Sequence, residues 1–485
     1  MDPELFQTKS LSEIDAAGRA RRVLAAALEA VDPAEAVRRS LHREGEQLAI
    51  GARIYDLARF RRIRVVGAGK AGMPMARAVE EILAERLTQG IVIVKEGYAD
   101  EGSLAKVRQP ADDHTRISGK LSRTHPATSE PSQGLKRVTI LEAGHPVPDE
   151  RGVAGTKKIM QLLQDSLPDE LVICLISGGG SALLTSPAEG LTLAELQNLT
   201  QALLASGADI NAINAVRKHL DQVKGGKLTR LASPAQVITL ILSDVVGDPL
   251  DVIASGPTVP DRSTFDTAYQ VFERHDLLEK TPASILDILK RGQRGQVAEN
   301  PKPKDALFEG VNNVIVGSNF QAAQAAVDQA RKDGFDAMLL TTYLQGEARQ
   351  AGRLLAAAAR QMAASGQPVT RPGCLIAGGE TTVTLQGGGY GGRNQELALG
   401  AVRDMAGLKD VVLIALATDG GDGPTDAAGA VVTGETFERA NQNSLDPAEF
   451  LARNDSYHFF EPLGDLIKTG PTQTNVNDLS LIFGF

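Results

Sequence analysis

Short, unbroken apolar runs recur along the chain. Each is followed by a glycine- or serine-rich break and then by a stretch with helical spacing. The clearest runs are 63–67 (IRVVG), 90–94 (GIVIV), 171–176 (LVICLI), 236–242 (QVITLIL), 311–317 (VNNVIVG), 375–381 and 411–417 (VVLIALA). They lack polar alternation, as expected of parallel strands covered on both faces. Strand–helix alternation predicts an α/β protein built on mainly parallel, Rossmann-like sheets. Ser12 with Asp15, Asp32 before Pro33, Asp149, and Thr192 with Glu195 read as helix starts.

The chain has 485 residues, too many for one core, so two domains are expected. The sequence divides into 12–292 and 307–485. Gln293–Ala306, with two prolines, reads as the linker, and the polar, proline-bearing stretch 98–134 reads as an insertion in the first domain. A formal charge of −9 without a basic stripe argues against nucleic acid. No apolar run has the roughly 20 residues that span a bilayer, so no membrane partner is expected, while a homodimer stays open. The acidic start MDPELFQTKS does not read as a signal peptide. Cys174 and Cys374 sit in apolar runs and read as buried hydrophobes of a reducing, cytoplasmic setting.

Candidate chemistry collects where the apolar runs stop. Leu171–Ile176 leads into Ser177, Gly178, Gly179, Gly180 and Ser181. Three successive glycines allow close backbone approach, and their N–H groups suit a phosphate. A tight turn that binds nothing is the plain alternative. The first run enters GAGKAG, where Gly67, Gly69 and Gly72 fit G-x-G-x-x-G and Glu96 follows the next strand, so a dinucleotide-binding dehydrogenase is a live reading. Lys70 in that turn speaks for a phosphate instead, since a lysine at a helix N-terminus otherwise opposes the helix dipole. Asp244, Asp419 and Asp422 lie just past strands and are hard-oxygen candidates for Mg²⁺. His145, Asn214, Arg217, Glu380 and Asn394 are candidate substrate contacts. The five glycines of 387–392 look like a second ligand loop, leading to Arg393.

GAGKAG, EAGHPVPDE, LISGGGSALL, INAVRKHLDQVKGGKL, LSDVVGDPLDVIASGPTVPD, CLIAGGETTV, GGRNQELAL, ATDGGDGPTDAAGA and TGPTQTNVNDL occur in that order. With them the chain resembles the class II glycerate 2-kinases, whose C-terminal module is called MOFRL, over roughly residues 12–483 outside the insertion. The resemblance implies two α/β domains around a deep cleft. It also implies transfer of the γ-phosphoryl of ATP to the 2-hydroxyl of D-glycerate, with Mg²⁺ or Mn²⁺, and points to Lys70 and Arg393 as the key cations. Ser177–Ser181 and Gly69 would then face phosphate, and Asp244 or Glu380 would accept the hydroxyl proton. Members also carry the name hydroxypyruvate reductase, which keeps an NAD(P)H enzyme as the alternative.

Overall fold

The computed structural model describes residues 1–14, 16–99 and 134–485. The insertion expected at 98–134 and the capping residue Asp15 therefore lie almost wholly outside the described residues. Asp32, Asp149 and Thr192 do cap helices, Thr192 in a full capping box with Glu195. Ser12 instead ends a one-turn helix that is capped by Thr8.

A small antiparallel meander, β1 (Leu41–Glu44), β2 (Gln47–Ile50) and β3 (Arg53–Asp56), precedes the first large sheet. That sheet holds β4 (Arg62–Ala68), β5 (Gln89–Lys95), β6 (Val138–Ala143), β7 (Glu170–Ile176), β8 (Gln236–Leu242) and β9 (Val311–Gly317). Its order is β6-β5-β4-β7-β8-β9, and every pair is parallel. The order reverses between β4 and β7, so the loops after these two strands flank the switch point where open α/β sheets bind ligands. The two loops are GAGKAG and SGGGS.

The second large sheet is mixed. It contains β10 (Asp336–Glu347), β11 (Gly373–Thr382), β12 (Val411–Ala417), β13 (Gly429–Thr433), β14 (Leu466–Ile467) and β15 (Asp478–Gly484), in the order β10-β11-β15-β12-β13-β14. Only β10 and β11 are parallel; the other pairs are antiparallel. The expectation of a second mainly parallel sheet is corrected here. The C-terminal strand enters between β11 and β12 against their direction, and an apolar run such as LSLIF carries no mark of direction.

The expected boundaries do not follow the sheets. VNNVIVG, placed after the linker, is β9, the edge strand of the first sheet. The chain crosses to the second sheet through helix 319–332. The N-terminal helix 17–29 packs on that helix, with Arg22 bridging Asp333. Residues 293–306 do not run free: Asn300 is buried and donates to Asp261, and Glu299 accepts from His219. One continuous apolar core joins the two sheets, from Leu171 and Leu240 on one side to Leu416 and Leu481 on the other.

Candidate active site

At the switch point the two loops are bonded to each other. The Lys70 amide donates to the Gly178 carbonyl at 2.8 Å and the Ser177 amide to the Ala68 carbonyl at 3.2 Å. The Ala71 amide donates to Ser177 Oγ at 3.0 Å. This uses up the dinucleotide fingerprint. A side chain at Gly67 would strike Leu175, one at Gly69 would strike Ser177, and one at Gly72 would meet Val92 at 2.7 Å. Position 69, where a pyrophosphate would lie, is filled by Ser177, so Gly69 faces protein and not phosphate. Glu96 is exposed and paired with Arg151 at 2.9 Å.

The SGGGS loop has the opposite character. A Cβ at Gly178 would run into the Asp244 carboxylate, and one at Gly179 (φ +83°) would meet the His145 ring at 2.8 Å. These glycines let two candidate residues, from the ends of β8 and β6, stand against the loop. The amides of Gly178, Gly179 and Ser181 have no acceptor among the described residues. Ser181 Oγ lies 2.9 Å from Ser255 Oγ, which donates to Asn214 Oδ1 at 2.9 Å.

The loop forms one wall of a cavity of about 930 Å³. Its lining includes His145, Ser177, Gly179–Ser181, Asn214, Arg217 and Asp244 from the first-sheet side, and Gln345 and Glu380 from β10 and β11. Lys70 is not part of the lining but is near enough to His145 and Asp244 to act on their charge, and its ammonium is 3.9 Å from Asp419. Arg393 is held in the second sheet, donating to Asp478 through Nε at 2.6 Å and Nη2 at 3.0 Å, and to Glu380 through Nη1 at 3.0 Å. Three of its five N–H bonds are thereby used, and the other two have no acceptor among the described residues. Asp478 went unassigned in the sequence. Its only signal was its place at the end of the TGPTQTNVND motif.

Charge states follow from these surroundings. Burial pushes the Asp244 carboxyl up to about 6 against the pull of Lys70, helped by Glu380 and Asp419. Burial, with Lys70 and Lys95 nearby, pulls His145 down to about 4, so its imidazole is neutral near pH 7. Glu380 is raised by burial although Arg393 opposes it. Among the described residues the Arg217 guanidinium has no ion-pair or hydrogen-bond partner, and burial lowers its pKa.

Asp422 and Asn394 are turned into the protein instead. Asp422 is 1% exposed. One of its carboxylate oxygens accepts from the Asn394 amide at 3.1 Å and the other from the Gln395 amide at 2.8 Å, so it caps helix 393–405. Both oxygens are thereby engaged by the protein backbone. Asn394 is equally buried and donates to the same carboxylate. The expected trio Asp244, Asp419 and Asp422 does not form, and among the described residues no three His, Cys, Asp or Glu side chains stand together as a metal site. The second glycine loop also meets protein. Side chains at Gly387 and Gly389 would strike Arg453 at 2.5 Å, and one at Gly391 would strike Ser456.

Residues 19–290 match the family described as a domain of unknown function, DUF4147, and residues 373–478 match the MOFRL family. The chain is 38% identical to a glycerate 2-kinase of Pyrococcus horikoshii over 94% of its length and 95% of that protein. It is 41% identical to a D-glycerate 2-kinase of Thermotoga maritima over 86% and 89%. A putative hydroxypyruvate reductase of Agrobacterium vitis is 38% identical over 86% and 98%. The crystal structure of the T. maritima glycerate kinase superposes with a TM-score of 0.80 at 37% identity, covering 96% of this chain and 99% of that one. The chain belongs to the family of glycerate kinases that carry the MOFRL module.

Proposed function

We propose that the protein transfers the γ-phosphoryl group of ATP to the 2-hydroxyl of D-glycerate in the cavity between the two sheets. The observation that carries this reading is the meeting, at the switch point, of Lys70, the open amides of Gly178, Gly179 and Ser181, and the Asp244 carboxylate, which has no ion-pair partner among the described residues. Phosphoryl transfer needs alignment and charge neutralisation more than covalent chemistry. The open amides hold phosphate oxygens, and Lys70 neutralises the transferred group. Arg393, fixed by Asp478 and Glu380, would give its two remaining N–H bonds to the same group. Because Glu380 is committed to Arg393, Asp244 is the base. It takes the proton of the 2-hydroxyl as that oxygen bonds to phosphorus and the bond to the ADP oxygen breaks. Mg²⁺ arriving with the nucleotide needs only one or two protein carboxylates. Asp419 can offer one, and the metal would spread the charge of the phosphates.

The fingerprint glycines spent on packing, and the pairing of Glu96 with Arg151, speak against a reductase. Two free, buried cysteines support a reducing, cytoplasmic setting. Among the described residues no helix is long and apolar enough to cross a membrane. Calorimetric titration separates the two enzyme readings: saturable ATP binding without stoichiometric NADH binding is expected. Tight NADH binding without ATP binding would overturn the kinase.

A further inference from the structure

D-glycerate carries a polar group on each of its three carbons, yet the cavity has an apolar lip. Val147, Leu204 and Ile210 line it and are 52%, 61% and 51% exposed. Val147 stands on the loop after β6, Leu204 near the end of helix 193–205, and Ile210 at the start of helix 210–219. Ile210, Asn214 and Arg217 are spaced by four and three residues, so they form one face of the second helix. The face therefore runs from an apolar end at the cavity mouth to a cationic end. Seven residues of helix cover about 10 Å, which suits the reach of a nucleotide from base to phosphates. The cationic end is unspent, because Arg217 has no partner among the described residues and the buried Nδ2 of Asn214 has none either. The Ser181–Ser255–Asn214 hydrogen bonds join this end directly to the SGGGS loop.

We infer that the adenine nucleotide lies along this helix face, with its base on Val147, Leu204 and Ile210 and its phosphates passing Asn214 and Arg217 onto the SGGGS loop. The donor is then held on the first-sheet side, and the second sheet, through Arg393, reaches only the phosphoryl group in transfer. The inference rests on the kinase reading for the identity of the ligand and adds where that ligand sits. Leu204 and Ile210 are exposed, so aspartate is tolerated there.

The test is titration of ADP and adenosine into the full-length wild type, Leu204→Asp, Ile210→Asp and Arg217→Met, beside the KM for glycerate. Both lip variants should weaken ADP and adenosine at least about tenfold, the scale of losing one base contact. Arg217→Met should weaken ADP by about tenfold or more while adenosine stays within about threefold. The glycerate KM of the lip variants should stay within about twofold. If the glycerate KM climbs while ADP affinity holds, the face seats the acceptor and the inference falls. Unchanged affinities for both ligands, with or without a change in oligomeric mass, would make the lip a protein surface and overturn it equally. A wild type that binds ADP but releases none with glycerate and ATP would sink the kinase reading separately.

Discussion

The two glycine-rich loops look alike as text and differ in what occupies the space of their missing side chains. In SGGGS that space holds the Asp244 carboxylate and the His145 ring, while three amides stay open. In GGGYGG it holds the backbone of Arg453 and the Asp455 and Ser456 side chains. The first loop gathers reactive groups from several strand ends at a topological switch point. The second lets the chain lie flat on the 453–456 segment and enter helix 393–405, which carries Arg393 at its first turn. A run of glycines thus marks close approach, and the partner decides whether the approach is chemistry or packing.

The largest effect should come from the carboxylate against the first loop. Asp244→Asn should lower kcat by about 10²- to 10⁴-fold, the usual worth of a positioned base. Burial raises Asp244 to about 6, and the base works only when ionised. Activity should therefore be complete above that value and fall as pH drops through it, about tenfold per unit. A pH profile of kcat/KM that stays flat from pH 7 to 5 would remove Asp244 from this role.

Arg393→Ala should cost at least about 10²-fold in kcat, since arginine fingers elsewhere contribute 10³–10⁵ and Lys70 remains here. Arg393→Lys should recover only part, because one compact charge cannot also serve Asp478 and Glu380 as a planar fork. A steep rise in the glycerate KM with kcat intact would make Arg393 a carboxylate clamp instead.

The loops themselves can be set against each other. Gly178→Ala drives a methyl group into Asp244, and misplacing a catalytic group by about 1 Å can cost 10²-fold in rate. At Gly388 an added Cβ meets nothing within 4 Å. Gly388→Ala should leave kcat unchanged and shift stability by no more than about 0.5 kcal/mol. Equal losses in the two variants would erase the distinction between the loops.

Asp422, like Gly388, should matter for stability and not for rate. Asp422→Ala should lower unfolding free energy by about 2 kcal/mol through the lost helix cap. Denaturant melts would show this, while half-saturating Mg²⁺ stays within about twofold. A clear rise in the Mg²⁺ requirement would restore Asp422 as a ligand.

Much of this was legible in the sequence, and the failures have physical reasons. The parallel strands of the first sheet could be read because continuous apolar runs bounded by glycine mean burial on both faces. That Asp244, Ser177–Ser181 and His145 come together could be read because they stand where such runs stop. The second sheet was misread because LSLIF looks the same in either direction, and its partners lie about a hundred residues back in β11 and about seventy back in β12. Asp419 and Asp422 share one TDGGD turn, yet one faces Lys70 and the other caps a helix. Their spacing does not record which way each points. Asp478 was missed because its partner, Arg393, is 85 residues away.

The central claim is phosphoryl transfer to glycerate at the switch point, and the product tests it most directly. Purified protein incubated with D-glycerate, ATP and Mg²⁺ should yield ADP and a phosphomonoester in equal amounts, with ³¹P–¹H coupling to the C2 proton that identifies 2-phosphoglycerate. NADH with hydroxypyruvate should remain unoxidised. Oxidation of NADH without glycerate-dependent ADP release would contradict the account.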